Sequence, residues 1–348
     1  MSATGNYVVR RIEARDVSAL EDFYHRNFPD RPRLNDMAVW RWEFTRHPRV
    51  VGAPPFFIID ADGEIQGAIG YIPLDIRLRG RSVSAGHPVN YFVHPSYKGL
   101  PALQLLMAVL GECHNVVAGY FSPDARRLFE KLGFVDLSSH VRSYYLPLPG
   151  GASARPGETT VRARLLRALR IAWNGFVRSA VRALGRREYK IERRLDDRFA
   201  IFIDDASDPA YGVRKDLSYM RWRYEESPVL NCVFIHQWSQ GTPSGLAVVH
   251  LDSRRQEAAL VDLIARPGNL FNTLGLVTAA VDYAASQRLA LVTTQLLSRP
   301  WDRALRWAGF GRTAGNIGLI VRAPDPETLE EMKDPARWHY VIGDTDVY

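Results

Sequence analysis

Apolar positions along this chain follow two rhythms that alternate in blocks, and the blocks predict elements. Residues 7–12 are an apolar-rich run that reads as a strand. Asp16 can cap a helix that places Leu20, Phe23 and Tyr24 on one side and runs to Phe28. A short helix is predicted over 37–46. Residues 56–60 and 65–78 read as strands joined by Asp62-Gly63, a hairpin pair whose glycine tolerates positive φ. A strand over 82–93, a helix over 102–112, a buried strand over 116–121, a helix over 123–132 and two further strands to 146 follow. The run 149–157, rich in Pro and Gly, reads as a linker. Beyond it come strands at 199–203, 231–238, 244–251 and 257–265, a helix at 270–286, a strand at 289–296, a helix at 300–308 and a strand at 316–322.

The second series echoes the first. Arg41, Trp42, Phe44 and Pro48 match Arg221, Trp222, Tyr224 and Pro228 at identical spacing. The helix ending Leu132-Gly133-Phe134 is answered by Ala308-Gly309-Phe310. Trp42 and Trp222 stand 180 residues apart, and the two glycines 176 apart. Two marker sets in the same order at nearly one offset predict a duplicated α/β domain with a mixed sheet in each copy. The expected units are 1–147, a linker with a basic amphipathic helix over 148–195, and 196–348.

Composition narrows the class. The chain has 348 residues, 46% hydrophobic and 24% charged, a globular balance with enough length for two cores. The first residues lack the apolar core of a secretory signal, and no run is apolar and long enough to span a membrane. The two cysteines, Cys113 and Cys232, show neither disulfide nor metal spacing, and the nine histidines show no zinc-ligand pattern. Together these predict a cytoplasmic protein without a metal. The net charge of +7 is local: residues 161–187 hold eight arginines and no Asp or Glu, and without them 37 basic residues face 38 acidic ones. A general nucleic-acid surface is therefore not expected. On a helical wheel Leu165, Leu166, Leu169, Ala172, Trp173, Phe176, Val177, Ala180 and Leu184 share one arc, opposite Arg164, Arg167, Arg170, Arg178, Arg182 and Arg186. Two readings stand: an interdomain strut whose apolar face packs on one copy, or a helix lying at an anionic membrane surface.

Three phrases carry a family resemblance: Asp60-Ala61-Asp62-Gly63-Glu64-Ile65-Gln66-Gly67, Phe92-Val93-His94-Pro95-Ser96-Tyr97-Lys98-Gly99 and Phe129-Glu130-Lys131-Leu132-Gly133-Phe134. With the order of elements they make the first copy resemble the GNAT superfamily of acyl-CoA-dependent N-acyltransferases. The second copy resembles it more faintly, through 221–224, 257–265 and 308–310. The pair is similar to tandem GNAT and FemAB-like proteins, and residues 338–346 look like the tails of bacterial polysaccharide-cluster members.

The resemblance implies that acyl-CoA, as acetyl-CoA or a longer thioester, lies between two strands that splay apart, with its pyrophosphate on the next helix N-terminus. It assigns Val93, His94, Lys98, Gly99, Leu100, Ala102 and Leu103 to that cofactor. Pro101 and Leu103 depart from the family's small residues, since Pro101 donates no N–H and Leu103 adds bulk where the backbone approaches a phosphate. Counting back six residues from Val93 gives His87 as the family's base position, and Pro88 beside it predicts a bulge. The family's general-acid tyrosine is Phe129 here and Leu305 in the second copy. Tyr91, Tyr120 and Ser122 are the alternatives.

Asp262 lies in a strand apolar on both faces and needs a partner. It is a candidate base or amine ligand, or else an anchor for an arginine such as Arg221. Trp40, Trp42 and Trp222, with Tyr120 and Ser122, are candidates to line an acceptor cleft, against a plain core role for the tryptophans. The implied reaction is N-acyl transfer to a primary amine, for instance of an amino sugar in a surface polysaccharide. An aminoacyl-tRNA-dependent FemAB-like transferase and a non-catalytic glycan-binding protein are the rivals. Peripheral membrane contact through 161–187 is a further expectation.

Overall fold

The computed structural model of the chain describes residues 6–119, 123–149, 161–184, 187–206, 211–266 and 270–345. Its strands in chain order are β1 (Tyr7–Arg11), β2 (Phe56–Ala61), β3 (Glu64–Leu78), β4 (Arg81–Val93), β5 (Asn115–Ala118), β6 (Val135–Asp136), β7 (Arg142–Pro147), β8 (Arg187–Glu192), β9 (Gly212–Val213), β10 (Cys232–Ser239), β11 (Thr242–Asp252), β12 (Glu257–Ala265), β13 (Leu291–Leu297), β14 (Gly311–Ala314), β15 (Ile320–Arg322) and β16 (Tyr340–Val341). One sheet runs β1-β2-β3-β4-β5-β15-β6, with β9 on β3. The other runs β8-β10-β11-β12-β13-β7-β14, with β16 on β13. The two are the same sheet built twice. Each is antiparallel except at one central pair, β4 with β5 and β12 with β13.

The halves exchange strands. β7, in the first half by sequence, sits between β13 and β14 of the second sheet. β15, from the second half, sits between β5 and β6 of the first. The 147 boundary therefore falls at the end of a strand that belongs to the other sheet.

The helices are α1 (Val17–Asn27), α2 (Pro32–Asn35), α3 (Met37–Phe44), α4 (Leu100–Glu112), α5 (Pro123–Lys131), α6 (Val161–Leu184), α7 (Ala200–Ala206), α8 (Leu217–Met220), α9 (Leu270–Ser286), α10 (Arg299–Trp307) and α11 (Pro326–Met332); a π-helical stretch, Arg221–Glu225, follows α8 directly. α4 covers the outer face of the first sheet with Leu105, Leu106 and Val109. α9 and α10 cover the second with Leu276, Val277, Ala280, Ala304 and Leu305. A third core takes side chains from both sheets at once, among them Phe56, Ile58, Leu74, Phe234, Leu246 and Val248.

Trp42 and Trp222 stack at its centre, with ring centroids 4.8 Å apart and 16° between planes. Each indole N–H donates to the other tryptophan's carbonyl, at 2.8 and 2.9 Å. The sequence echo is thus a local two-fold axis. Reciprocal bonding satisfies both buried indoles at once.

Several elements differ from expectation. The run 199–203, read as a strand, is the start of a helical segment. Asp196 caps it by accepting from the Arg198 N–H, and Phe199, Phe202, Ile203 and Ala206 bury one helical face. The first strand of the second sheet is instead β8, inside the expected linker. Its charged, partly exposed sequence suits an edge strand and hides it from an apolar pattern. β5 ends at Ala118, short of the expected 121, and residues 120–122 lie outside the described residues.

Candidate functional site

β4 and β5 pair only at Ala85–Asn115 and Gly86–Val116; among the described residues their ladder goes no further. The strands part after Gly86, and His87 is the first residue beyond the crotch. A bulge follows at Asn90, whose φ is +56°, two residues after Pro88, where it was expected. The second sheet repeats the arrangement. β12 and β13 pair from Glu257–Leu291 to Ala259–Thr293 and then separate, with a bulge between Leu260 and Asp262.

Beyond Val93, His94 accepts from the Ser96 N–H and turns the chain. Gly99, at φ +91° and ψ −126°, leads into α4 with a backbone conformation that L side chains rarely adopt. Lys98 and Leu100 are exposed beside it. Val93, Ala102 and Leu103 are partly buried, and the Leu103 N–H is engaged by the Gly99 carbonyl at 3.0 Å. Leu100 and Ala102 carry first-turn amides that a helix leaves without carbonyl partners of its own. The Tyr91 hydroxyl donates to the Ala102 carbonyl at 2.8 Å, tying β4 to α4, and burial pushes it up to about 12.

His87 is buried, and the C-terminal segment lies against it. A Cβ at Gly119 would sit 3.1 Å from the Tyr340 hydroxyl and 3.4 Å from the His87 ring, so glycine there lets β5, the ring and the tail meet. A void of about 10 Å³, one water's worth, lies among His87, Trp222, Arg223, Asp344 and Thr345. Arg223, itself buried, fixes the tail by donating to the Gly343 carbonyl at 3.0 Å and to the Thr345 carbonyl. Its guanidinium also lies 5.6 Å from the Trp42 ring centroid. On the bulge, Asn90 donates to Glu43 at 3.0 Å, and Arg33 donates to the other oxygen of that buried carboxylate at 2.5 Å.

Both carboxylate oxygens of Asp262 are engaged. It receives Lys215 at 2.9 Å, the Tyr224 hydroxyl at 2.8 Å and the Leu263 N–H at 2.8 Å. Lys215 lies equally close to Asp344, 2.9 Å away. Burial alone lowers the Lys215 pKa, but the two carboxylates outweigh it and the ammonium is held charged. Burial raises Asp344 against the pull of Lys215. The anchor reading of Asp262 fits this cluster. Its cation is Lys215, while Arg221 pairs with Asp197.

The tryptophans do not line a cleft. Trp42 and Trp222 are buried on the local two-fold, and Trp40 packs on Phe44 and Phe56. Tyr120 and Ser122 lie outside the described residues. Reading the sequence alone missed Lys215, Asp344, Arg223 and the Glu43–Asn90 pair. Arg223 and Glu43 carried a signal, as equivalent positions inside the repeated tryptophan phrase, and Asp344 lies in the 338–346 tail; Lys215 and Asn90 carried none.

A cavity of about 430 Å³ opens where β12 and β13 have parted. Leu263, Leu270, Trp301 and Trp338 give it apolar walls, and Arg77, Arg266, Arg303 and Arg337 also line it. Among its described lining residues there is no carboxylate. His339 also lines it, neutral, because burial first and then Lys215 lower its pKa to about 4. Among the described residues no group of His, Cys, Asp and Glu could hold a metal ion.

No protein-family model matches the chain, and no curated protein matches its sequence. Solved structures do match its fold. A protein of Enterococcus faecalis V583 described as a probable N-acyltransferase aligns with TM-score 0.58 at 10% identity, over 91% of this chain and 73% of that one. A GCN5-related N-acetyltransferase from Anabaena variabilis gives 0.58 at 11%, over 92% and 73%. Saccharomyces cerevisiae N-myristoyltransferase, solved with bound myristoyl-CoA, gives 0.56 at 11%, over 95% and 86%. At these identities the likeness speaks for the fold: a mixed α/β protein of two GNAT-like domains.

Proposed function

We propose that this chain transfers an acyl group from an acyl-CoA thioester to a primary amine. The observation that carries the reading is the parting of β4 from β5 after Gly86, on the strand that leads through Val93 to Lys98, Gly99 and the start of α4. A freed strand edge can pair with the amides of a pantetheine arm, as an added strand would. The first-turn amides of α4, its dipole and the Lys98 ammonium favour a pyrophosphate. Pro101 removes one donor and Leu103 narrows the approach, so the anion rests chiefly on Leu100, Ala102 and Lys98.

In the reaction the amine nitrogen attacks the thioester carbonyl, a C–N bond forms, the C–S bond breaks, and a proton passes from the amine to the thiolate. His87, at the crotch, is the candidate to accept that proton. Tyr91 can donate to the thiolate only by leaving the Ala102 carbonyl. Asp262 belongs to the buried ion cluster and takes no part in proton transfer.

The cavity of the second half is the proposed acceptor site. Apolar walls, no carboxylate among the described lining residues and four arginines, of which Arg77 and Arg337 already pair with Asp204 and Asp334, suit an amine that carries phosphate, such as an amino sugar on a phosphate-linked carrier. Two buried free thiols and a thioester donor suit a reducing, cytoplasmic setting.

Acetyl-CoA and longer acyl-CoA esters are expected to raise the melting temperature, and Lys98→Glu to abolish the shift without lowering the unliganded value. No shift with any acyl-CoA would remove the cofactor from the proposal.

A further inference from the structure

α6 is amphipathic, but only one edge of its apolar arc, at Val177, seats it. Arg170 donates to the Tyr145 hydroxyl at 2.8 Å, Asn174 donates to the Ala308 carbonyl at 2.7 Å, and Arg178 and Arg182 pair with Asp282. Val177 and Val181, on the same side, enter the second core. At 100° per residue these positions surround one direction. Val161, Leu165, Leu169, Trp173 and Phe176 surround the opposite one, and all five are exposed, Leu165 at 60% and Phe176 at 64%. Trp307 of α10, also exposed, extends the patch, since the Trp173 indole donates to its carbonyl at 2.8 Å. Soluble proteins rarely leave so continuous an apolar face open.

The charges around the face say what covers it. The sequence of α6 contains no Asp or Glu, and Arg162 and Arg164 stand exposed beside the apolar side chains. Arg306 is exposed next to Trp307. A second copy laid face to face would bring arginine onto arginine. An anionic lipid surface takes both the apolar side chains and the cations. We propose that α6 is a docking helix that lies in the plane of an anionic bilayer, with Leu165, Leu169, Trp173 and Phe176 below the headgroups and Arg162 and Arg164 among them. The helix has 24 residues, and no helix among the described residues is long and apolar enough to cross a membrane, so it lies on the surface. Arg303 lines the acceptor cavity one helical turn before Trp307, which brings that cavity close to the lipid phosphates. This last point rests on the proposed function; the docking does not.

The test is co-sedimentation of the full chain with vesicles of phosphatidylcholine alone and of phosphatidylcholine mixed with phosphatidylglycerol, alongside light scattering in solution. The wild type should bind the mixed vesicles, weaken with salt and bind the neutral ones far less. Leu165→Glu/Leu169→Glu/Phe176→Glu should abolish binding with little change in melting temperature, because those side chains are more than half exposed and none of them enters a core. Arg162→Gln/Arg164→Gln should weaken binding roughly twenty-five-fold on mixed vesicles only, about five-fold for each cation at an anionic surface. Failure of the wild type to bind, or binding unaffected by the triple variant, would overturn the proposal. So would a dimer in solution that the triple variant turns into a monomer, since the face would then belong to a second copy. Vesicle binding is read without turnover, so its failure leaves the acyl-transfer reading untouched.

Discussion

Lys215 holds its ammonium at 2% side-chain exposure between Asp262 and Asp344. Such a cluster is stable only as a set, because each charge offsets the desolvation of the others. Lys215→Met leaves two carboxylates facing each other and should cost about 3–5 kcal/mol in urea unfolding. Adding Asp262→Asn and Asp344→Asn to Lys215→Met should recover most of that loss. A loss below about 1 kcal/mol for Lys215→Met would show that the cluster is not structural.

His47 and His339 set a pH dependence by the opposite logic. Burial, the largest cause for both, lowers His339 from 6.5 to about 4 and His47 from 6.5 to about 3. A ring whose folded pKa is depressed contributes stability that is complete above pH 6.5. That stability is lost as the pH falls toward the folded value, on the order of 3 kcal/mol for His339 and 5 kcal/mol for His47. Asp344, raised by burial, works in the other direction and moderates the slope. The melting temperature should therefore fall between pH 6.5 and about 4. His47→Asn with His339→Gln should flatten the fall, and an unchanged slope in the double variant would refute the assignment.

At the scale of elements, the sequence announces what is local. Asp62-Gly63 forms the expected turn with both residues at positive φ, and Gly133 and Gly309 end their helices at φ +81° and +91°. The strands flanking both clefts lie where alternation and apolar runs predict, because each is buried on at least one face. What could not be read is non-local or polar. β8 is an edge strand of charged residues. The apolar residues at 199, 202 and 203 satisfy strand and helix periods equally over so short a run. Lys215 meets a carboxylate 47 residues away, and no spacing rule marks such a partner. The tryptophan repeat was visible as a repeat, yet only the folded chain shows that both rings close on each other and leave no cleft. The site was legible as a strand, loop and helix. The tail that backs His87 was not, because it arrives from residues 340–345.

At the scale of the molecule, exchange of β7 and β15 makes the duplicated halves one folding unit. A half cut at 147 would carry β7 with no sheet to join and would leave β5 and β6 without the strand that separates them. The second half alone would lack the strand between β13 and β14. Further bonds cross the same divide: Arg49 to Asp216 at 3.1 Å, Arg77 to Asp204 at 2.6 Å, and the two tryptophan N–H bonds. Unpaired central ladder groups in a buried sheet cost more than a small domain has to spare. Residues 1–147 and 196–348 produced separately should each lack a cooperative thermal transition and bind a dye for exposed apolar surface. The full chain should unfold in one step, with far-UV circular dichroism and tryptophan fluorescence tracing the same midpoint. Two resolved transitions, or cooperative melting of either fragment, would mean that the exchanged strands are dispensable. The halves would then be tethered neighbours, and an acceptor site in one could not rely on the other to hold the thioester in place.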